Sequence, residues 1–414
     1  MTDIVIIGGG HGGAQLCAAL AAAGQGARVH LVCDEPVLPY QRPPLSKSYQ
    51  KNGAEALQWH RDEAWFADQR ITVHRGERAV AIDRAARSVT LASTKVLGYE
   101  WLVLATGGRA RALPSLPTGL ANVHVLRSAA DAERLRSAWP DIVQLTVLGG
   151  GFIGLEVAAT ARGLGKSVQV LESAPRLMAR SVSPELSAHV LATHRAAGID
   201  VRIGIAVGEF DIQGDRLATL AAADDDLAID TLLLGVGAEP EHALATACGL
   251  EVRNGIVVDA QMRTSDPAIL AIGDCTDFPE PTSGRRLRLE SVQNATDQAK
   301  TAAATIQGLD QPHRALPWFW SDQGTMRLQM AGLMPPDGER HRRPGANAAS
   351  FSILHYATGR LVCVESVNAP MDHLTARKLL EAGISPPPSD ACDPARPLKQ
   401  FLPSSSNPGQ TTSG

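Results

Sequence analysis

Two glycine triplets in this 414-residue sequence have the spacing that lets a backbone wrap a dinucleotide phosphate. Gly8, Gly10 and Gly13 fill one G-x-G-x-x-G frame, and Gly149, Gly151 and Gly154 fill a second. In such a frame the first glycine makes a tight turn and the second lets backbone approach the pyrophosphate. The third lets helix pack on strand, and the helix N-terminus faces the phosphates. Each frame follows a short aliphatic run, Ile4 to Ile7 or Leu145 to Leu148. Each opens an Ala-rich stretch that ends at a glycine, Gly24 or Gly165. An acid closes the next strand in both copies: Asp34 after V-H-L-V-C and Glu172 after V-Q-V-L. A carboxylate there accepts hydrogen bonds from ribose hydroxyls. One frame alone is a weak signal. Two complete units imply two dinucleotides and a relay between them.

Those turns need strands and helices around them, and the composition supplies both. The length suits two or three domains with sizeable cores. A formal charge of −4 argues against a nucleic-acid or membrane-surface protein. Residues Ile4 to Ala27 carry no Asp, Glu, Lys or Arg, but seven glycines, two glutamines and a histidine interrupt them. No basic segment precedes them, so they read as strand, loop and helix rather than a membrane span or signal peptide. The expected compartment is the cytoplasm. Cys17, Cys33, Cys248, Cys275, Cys363 and Cys392 are scattered, with no C-x-x-C and no zinc-ligand spacing. They read as small apolar residues, which excludes a cysteine pair as electron acceptor.

The expected architecture is α/β. Two Rossmann-like dinucleotide-binding domains, one inserted in the other, are followed by a smaller α+β domain. The first spans 1–111 and 238–315, the inserted one 112–237, and the third 316–402. Residues 403–414, rich in Pro, Ser, Gly and Thr, are expected to be disordered. The insertion is suggested by L-V-L-A-T-G-G, ending at Gly108, and its echo L-L-L-G-V-G, ending at Gly237. The third domain has strand candidates at Arg327–Met330, Ser350–His355 and Leu361–Val367.

Six ordered motifs carry a resemblance across residues 4 to about 402: L-P-Y-Q-R-P-P-L-S-K (38–47), A-T-G-G-R (105–109), G-G-G-F-I-G-L-E-V-A (149–158), T-S-D-P-A-I-L-A-I-G-D-C (264–275), E-S-V-Q-N-A (290–295) and P-W-F-W-S-D-Q (317–323). With them the sequence resembles the NADH-dependent ferredoxin reductases of bacterial oxygenase systems, in the glutathione-reductase-like flavoprotein superfamily. The resemblance implies FAD in the first domain and NADH in the second. Relatives that reduce disulfides or peroxides place a redox cysteine near the helix start at 42–47, where this chain has none.

The resemblance also implies roles for single residues. Lys47 is either a solvated lysine or an ammonium beside the flavin N5 edge that stabilises charge developing on reduction. Glu156 is either an acid favoured by the helix dipole or the ion-pair partner of Lys47 near the nicotinamide. FAD contacts should include Gly12, Ala79, Arg127, Asp274 and Val292, with Asp274 either bonding ribityl hydroxyls or capping a helix. Trp318 and Trp320 alternate onto one strand face. They are core residues, or, with Trp320 foremost, a wall along the flavin dimethylbenzene ring. Glu172 should favour NADH by repelling a 2′-phosphate, softened by Arg176 and Arg180.

The implied reaction is hydride transfer from NADH to FAD, with the reacting atoms about 3–3.5 Å apart. Single electrons then pass to a 2Fe–2S ferredoxin serving a haem monooxygenase or ring-hydroxylating dioxygenase. Such ferredoxins are usually acidic, so a basic docking patch is expected. Its candidates are Lys300, Lys399, Arg377 and Lys378, with Arg285, Arg286 and Arg288, against the plainer reading of solvated charges. Two alternatives stand: another acceptor (rubredoxin, quinone, oxygen or ascorbyl radical), or a redox-sensing protein like apoptosis-inducing factor.

Overall fold

The computed structural model describes residues 3–51, 56–223, 225–281 and 284–403. All but the first residue of the tail expected at 403–414 lies outside them. The chain forms two compact units, one of residues before 179 with 190–315, the other of 179–189 with residues from 316 onward.

The first unit holds two parallel five-stranded sheets. One runs in the order 269–271, 101–104, 4–7, 29–33, 72–75, and the other 200–203, 167–172, 144–148, 231–234, 123–124. Ile4, Val5, Ile6, Leu145 and Val147 are fully buried. Parallel strands covered on both faces need such unbroken aliphatic runs. The strand Ile269–Ala271 returns to the first sheet beside Trp101–Leu104, after the whole second sheet has been made. The outgoing and returning chains pair as an antiparallel ribbon, Gly108–Ala110 against Ala238–Pro240. Arg109 reaches Glu239 at 2.7 Å across this ribbon.

The two glycine turns are built to one plan. Gly8 and Gly149 sit at φ +116° and +108°, where a side chain is strained. A Cβ on Gly8 would lie 2.2 Å from the Ala105 carbonyl oxygen, and one on Gly149 2.4 Å from that of Gly235. A Cβ on Gly13 would meet Gly8 O at 2.0 Å, and on Gly154 it would meet Gly149 O at 2.5 Å. Each helix therefore starts hard against the strand that feeds it, at His11–Ala22 and Phe152–Gly163.

The second unit is an antiparallel sheet in the order 318–323, 326–332, 360–367, 351–357, 339–344. Helix Pro370–Glu381 packs Ala376 and Leu379 into a cluster with Leu354, Tyr356 and Val364. Residues 179–189 fall within the range expected for the inserted domain, yet they belong to this unit. Polar and ring contacts both tie them there: Ser183 N–H donates to Glu365 at 2.8 Å, Arg342 pairs with Glu185 at 3.2 Å, and the His189 ring meets Phe351 edge-on at 4.9 Å. Strand Glu339–Pro344 (E-R-H-R-R-P) was not among the sequence candidates, because it lacks apolar alternation.

Gly149→Ala should destabilise the protein by about 2 kcal/mol or more, through strain and backbone overlap. Gly163→Ala, a helical glycine with nothing within 4 Å of its would-be Cβ, should instead stabilise by about 0.5–1 kcal/mol. Denaturant unfolding of both variants checks the contrast.

Candidate active site

Each turn leaves open space at its middle glycine. A Cβ on Gly10 would come no closer than 4.0 Å to any group, there Arg42 Nε, and one on Gly151 no closer than 3.9 Å. Both glycines are helix N-caps without a side-chain cap, so backbone N–H groups face that space. This is the form a dinucleotide diphosphate fits. At the second cradle, Glu172 accepts from Gly150 N–H at 2.6 Å and Ala174 N–H at 2.7 Å, placing its carboxylate at the loop. At the first, Asp34 turns outward, its side chain 61% exposed and 3.5 Å from Arg78. The inward acid is its neighbour Glu35, which accepts from Tyr40 Oη at 2.8 Å and Arg42 at 3.0 Å.

Between the cradles, the structure brings Lys47 to Glu156. Lys47 Nζ donates to Glu156 Oε2 at 2.6 Å and to the Pro43 carbonyl at 3.1 Å. Ser46 Oγ donates to the same carboxylate oxygen at 2.5 Å. Glu156 is 3% exposed and the Lys47 side chain 21%. Two expectations change here. Glu156 lies beyond the first turn of helix Phe152–Gly163, so its charge is held by donors from residues 46–47 rather than by the helix end. Lys47 is not inside a helix: it joins the 3₁₀ turns Pro43–Ser46 and Ser48–Gln50. Two consecutive prolines favour such a stiff, short turn.

A second polar chain links Arg127 to Asp274. Arg127 donates to Asp274 Oδ2 at 3.1 Å and to the Gly108 carbonyl at 2.8 Å. Burial pushes the Asp274 carboxyl above its usual range, and the Arg127 guanidinium pulls it back. Asp274 caps no helix; it sits in the 3₁₀ turn Gly273–Cys275, which Gln298 holds by accepting from Gly273 N–H at 2.7 Å. Val292 begins helix Val292–Ile306 behind the cap Ser291, and Ala79 begins the strand Ala79–Asp83, buried. Gly12 starts against Ile272, 3.3 Å from its would-be Cβ. Sequence reasoning passed over Arg42 and Ser46, although both lie in the 38–47 motif beside Lys47. Gln298 leaves no local signal at all.

The comparisons with known proteins agree with this fold. Residues 2–299 match the pyridine nucleotide-disulphide oxidoreductase family model, and residues 318–402 match the reductase C-terminal model. The chain belongs to the pyridine nucleotide-disulphide oxidoreductase family. It is 42% identical to rhodocoxin reductase of Rhodococcus erythropolis, over 96% of this chain and 93% of that protein. It resembles the solved ferredoxin reductase for the CYP199A2 system of Rhodopseudomonas palustris at 44% identity, with TM-score 0.92, covering 96% and 99% of the two chains. The covalent putidaredoxin reductase–putidaredoxin complex gives TM-score 0.92 at 36% identity, covering 97% and 98%. The family name carries a disulphide, but all six cysteines of this chain are free. Burial raises the thiol pKa of all six, most strongly at Cys17, Cys33 and Cys363.

The basic candidates divide by their bonds. Arg286 is structural, donating to Asp277 Oδ1 at 2.8 Å and Val258 O at 3.1 Å. Arg288 pairs with Glu290, Lys300 with Asp297 at 2.9 Å, and Arg377 lies 4.4 Å over the Trp318 ring. Lys378 and Lys399 are exposed and form no ion pair among the described residues. Trp320 lies in the second unit on strand Trp318–Gln323, its ring centroid 5.6 Å from that of Trp318. No helix among the described residues is long and apolar enough to cross a membrane.

Burial, with His60, Arg42 and Arg127 adding to it, pushes the His11 imidazole down to about 3; burial and Arg61 push His60 to about 4. Their rings meet edge-on at 4.5 Å. Unfolded, both charge near pH 6.5. The unfolded chain thus binds more protons as pH falls below that value, and stability present above it is lost towards pH 4. The melting temperature of FAD-free protein should drop by several degrees between pH 7.5 and pH 5. His11→Asn should flatten that slope.

Proposed function

We propose that this enzyme carries electrons from NADH through FAD to a 2Fe–2S ferredoxin that serves a haem monooxygenase or ring-hydroxylating dioxygenase. The observation that carries the reading is a pair of dinucleotide cradles joined through Lys47 and Glu156 with no thiol at the junction. No protein group there can take up an electron pair, so the electrons must leave to an external carrier. The relatives, reductases of rhodocoxin, putidaredoxin and a ferredoxin, support a small iron–sulfur acceptor.

FAD held in the first cradle would supply two-electron uptake of a hydride from NADH and release of those electrons one at a time. This chain's residues bind, orient and stabilise charge. Gly8, Gly10, Gly12 and Gly13 with Arg127 and Asp274 would hold FAD, assisted by Ala79 and Val292, with Glu35 rather than the outward-turned Asp34 as the acid at that cradle. Gly149, Gly151 and Gly154 hold NADH. The Lys47 ammonium stabilises charge gained on reduction, and Glu156 fixes that ammonium. Glu172 accepts from the ribose hydroxyls and repels a 2′-phosphate.

The domains of this reading are 1–111 with 238–315 for FAD, 112–237 without 179–189 for NADH, and 316–402 with 179–189 beyond them. The two sheets and the ribbon at 108–110 and 238–240 support it. Six free cysteines are consistent with a cytoplasmic location. Lys378 and Lys399, unpaired among the described residues, are the foremost docking charges; Lys300 and Arg377, each ion-paired, are the further candidates.

Glu172→Ala should narrow the preference for NADH over NADPH about tenfold or more; steady-state kinetics with both nucleotides measures it. A wild type that prefers NADPH would remove Glu172 from this role.

Lys378→Glu or Lys399→Glu should raise the KM for an acidic 2Fe–2S ferredoxin several-fold and leave ferricyanide reduction unchanged. The wild-type ferredoxin rate should fall with salt, because exposed charges are screened beyond about 8 Å at physiological ionic strength. Ferredoxin turnover no faster than background would reject the function.

A further inference from the structure

We infer that Ser46 and Thr160 are positioning residues that set the register between the two dinucleotide cradles. The inference rests on reading those cradles as the FAD and NADH sites. Residues 42–47 form a short strut. At one end Arg42 overlooks the Gly10 cradle and is tied to Glu35 at 3.0 Å and to the Arg127 carbonyl. At the other end Ser46 is latched twice to helix Phe152–Gly163, which starts from the Gly151 cradle. Its hydroxyl donates to Glu156 Oε2 at 2.5 Å, and its carbonyl accepts from Thr160 Oγ1 at 2.9 Å. Glu156 and Thr160 are four residues apart, so they share one helix face. All three are buried, Ser46 at 2%, Glu156 at 3% and Thr160 at 8% exposure.

The adjacent ion pair does not provide this register. Lys47 reaches Glu156 on a flexible four-carbon stem with three rotatable donors, and it follows small shifts of the helix without breaking. The Ser46 latches have no such slack, because one acceptor is a main-chain carbonyl and one donor is a hydroxyl on a single carbon. Between Arg42 and Ser46 the chain is a Pro-Pro 3₁₀ turn, stiff in φ. Movement of the second cradle against the first therefore has to break a buried hydrogen bond. Hydride transfer is sensitive to such movement: a misplacement of about 1 Å costs roughly a hundredfold in rate.

The test uses the FAD-loaded enzyme and four variants: Thr160→Val, Thr160→Ser, Ser46→Ala and Lys47→Met. Four quantities are measured: the dissociation constants for FAD and for NADH, the rate at which NADH bleaches the flavin, and the long-wavelength absorbance of stacked nicotinamide and flavin rings. Thr160→Val and Ser46→Ala should leave both dissociation constants within about threefold. Both should weaken the long-wavelength band, and bleaching should slow by about tenfold. Thr160→Ser should restore band and rate. Lys47→Met should slow bleaching while keeping the band, which separates charge stabilisation from register. A wild type that NADH does not bleach overturns the functional reading and this inference with it. A wild type that bleaches, with an unchanged band and rate in both Thr160→Val and Ser46→Ala, overturns the inference alone.

Discussion

A carboxylate out of reach of water governs how this molecule is put together. Glu156 is 3% exposed on a helix whose first turn is already behind it. An unpartnered charge in that position costs several kcal/mol. Its donors are Ser46 and Lys47, 110 and 109 residues earlier in the chain. The protein thus cannot bury this helix without bringing the Pro-Pro segment of the first nucleotide-binding sheet to it. That requirement joins two sheets that share no strand. It also places an ammonium at their junction.

The remainder of the first unit follows from the same kind of close approach. Both cradles need a helix to start where a strand ends, and both put a carbonyl 2.0–2.5 Å from where a Cβ would be. Glycine is the only solution at those points. Around them, polar groups hold loops that no aliphatic core could direct: Gln298 fixes the Gly273 turn, and Arg127 ties Asp274 to the Gly108 loop. The ribbon at 108–110 and 238–240 closes the excursion through the second sheet. It lets the second sheet form between two strands of the first without disturbing the first sheet's order.

The second unit applies similar logic to a different fold. Glu365, 1% exposed, accepts from Ser183 N–H and pairs with His355 at 2.9 Å between neighbouring strands. Arg343, 5% exposed, spends its guanidinium on Asp372 and the carbonyls of Ala391, Asp393 and Arg396. These two buried groups help to hold segments 179–189 and 390–396, beside the fully buried Val182, Leu186 and Ala391. The charged strand Glu339–Pro344 lies at the sheet edge, where charge discourages pairing with other chains.

What the sequence determined by itself was whatever depends on neighbours a few residues away. The strand–glycine–helix turns, the two Rossmann-like sheets and strands of the α+β third unit were legible, because a tight turn and an apolar run each leave their mark within one short window. The tertiary structure decided which charges meet. It chose Glu35 over Asp34 as the inward acid, made Arg286 structural, and put Asp274 on Arg127 instead of a helix cap. It moved 179–189 into the second unit and gave Ser46 its two latches. Such bonds join residues up to 182 apart. Their geometry exists only after the chain has closed those loops, and no periodicity along the sequence records it.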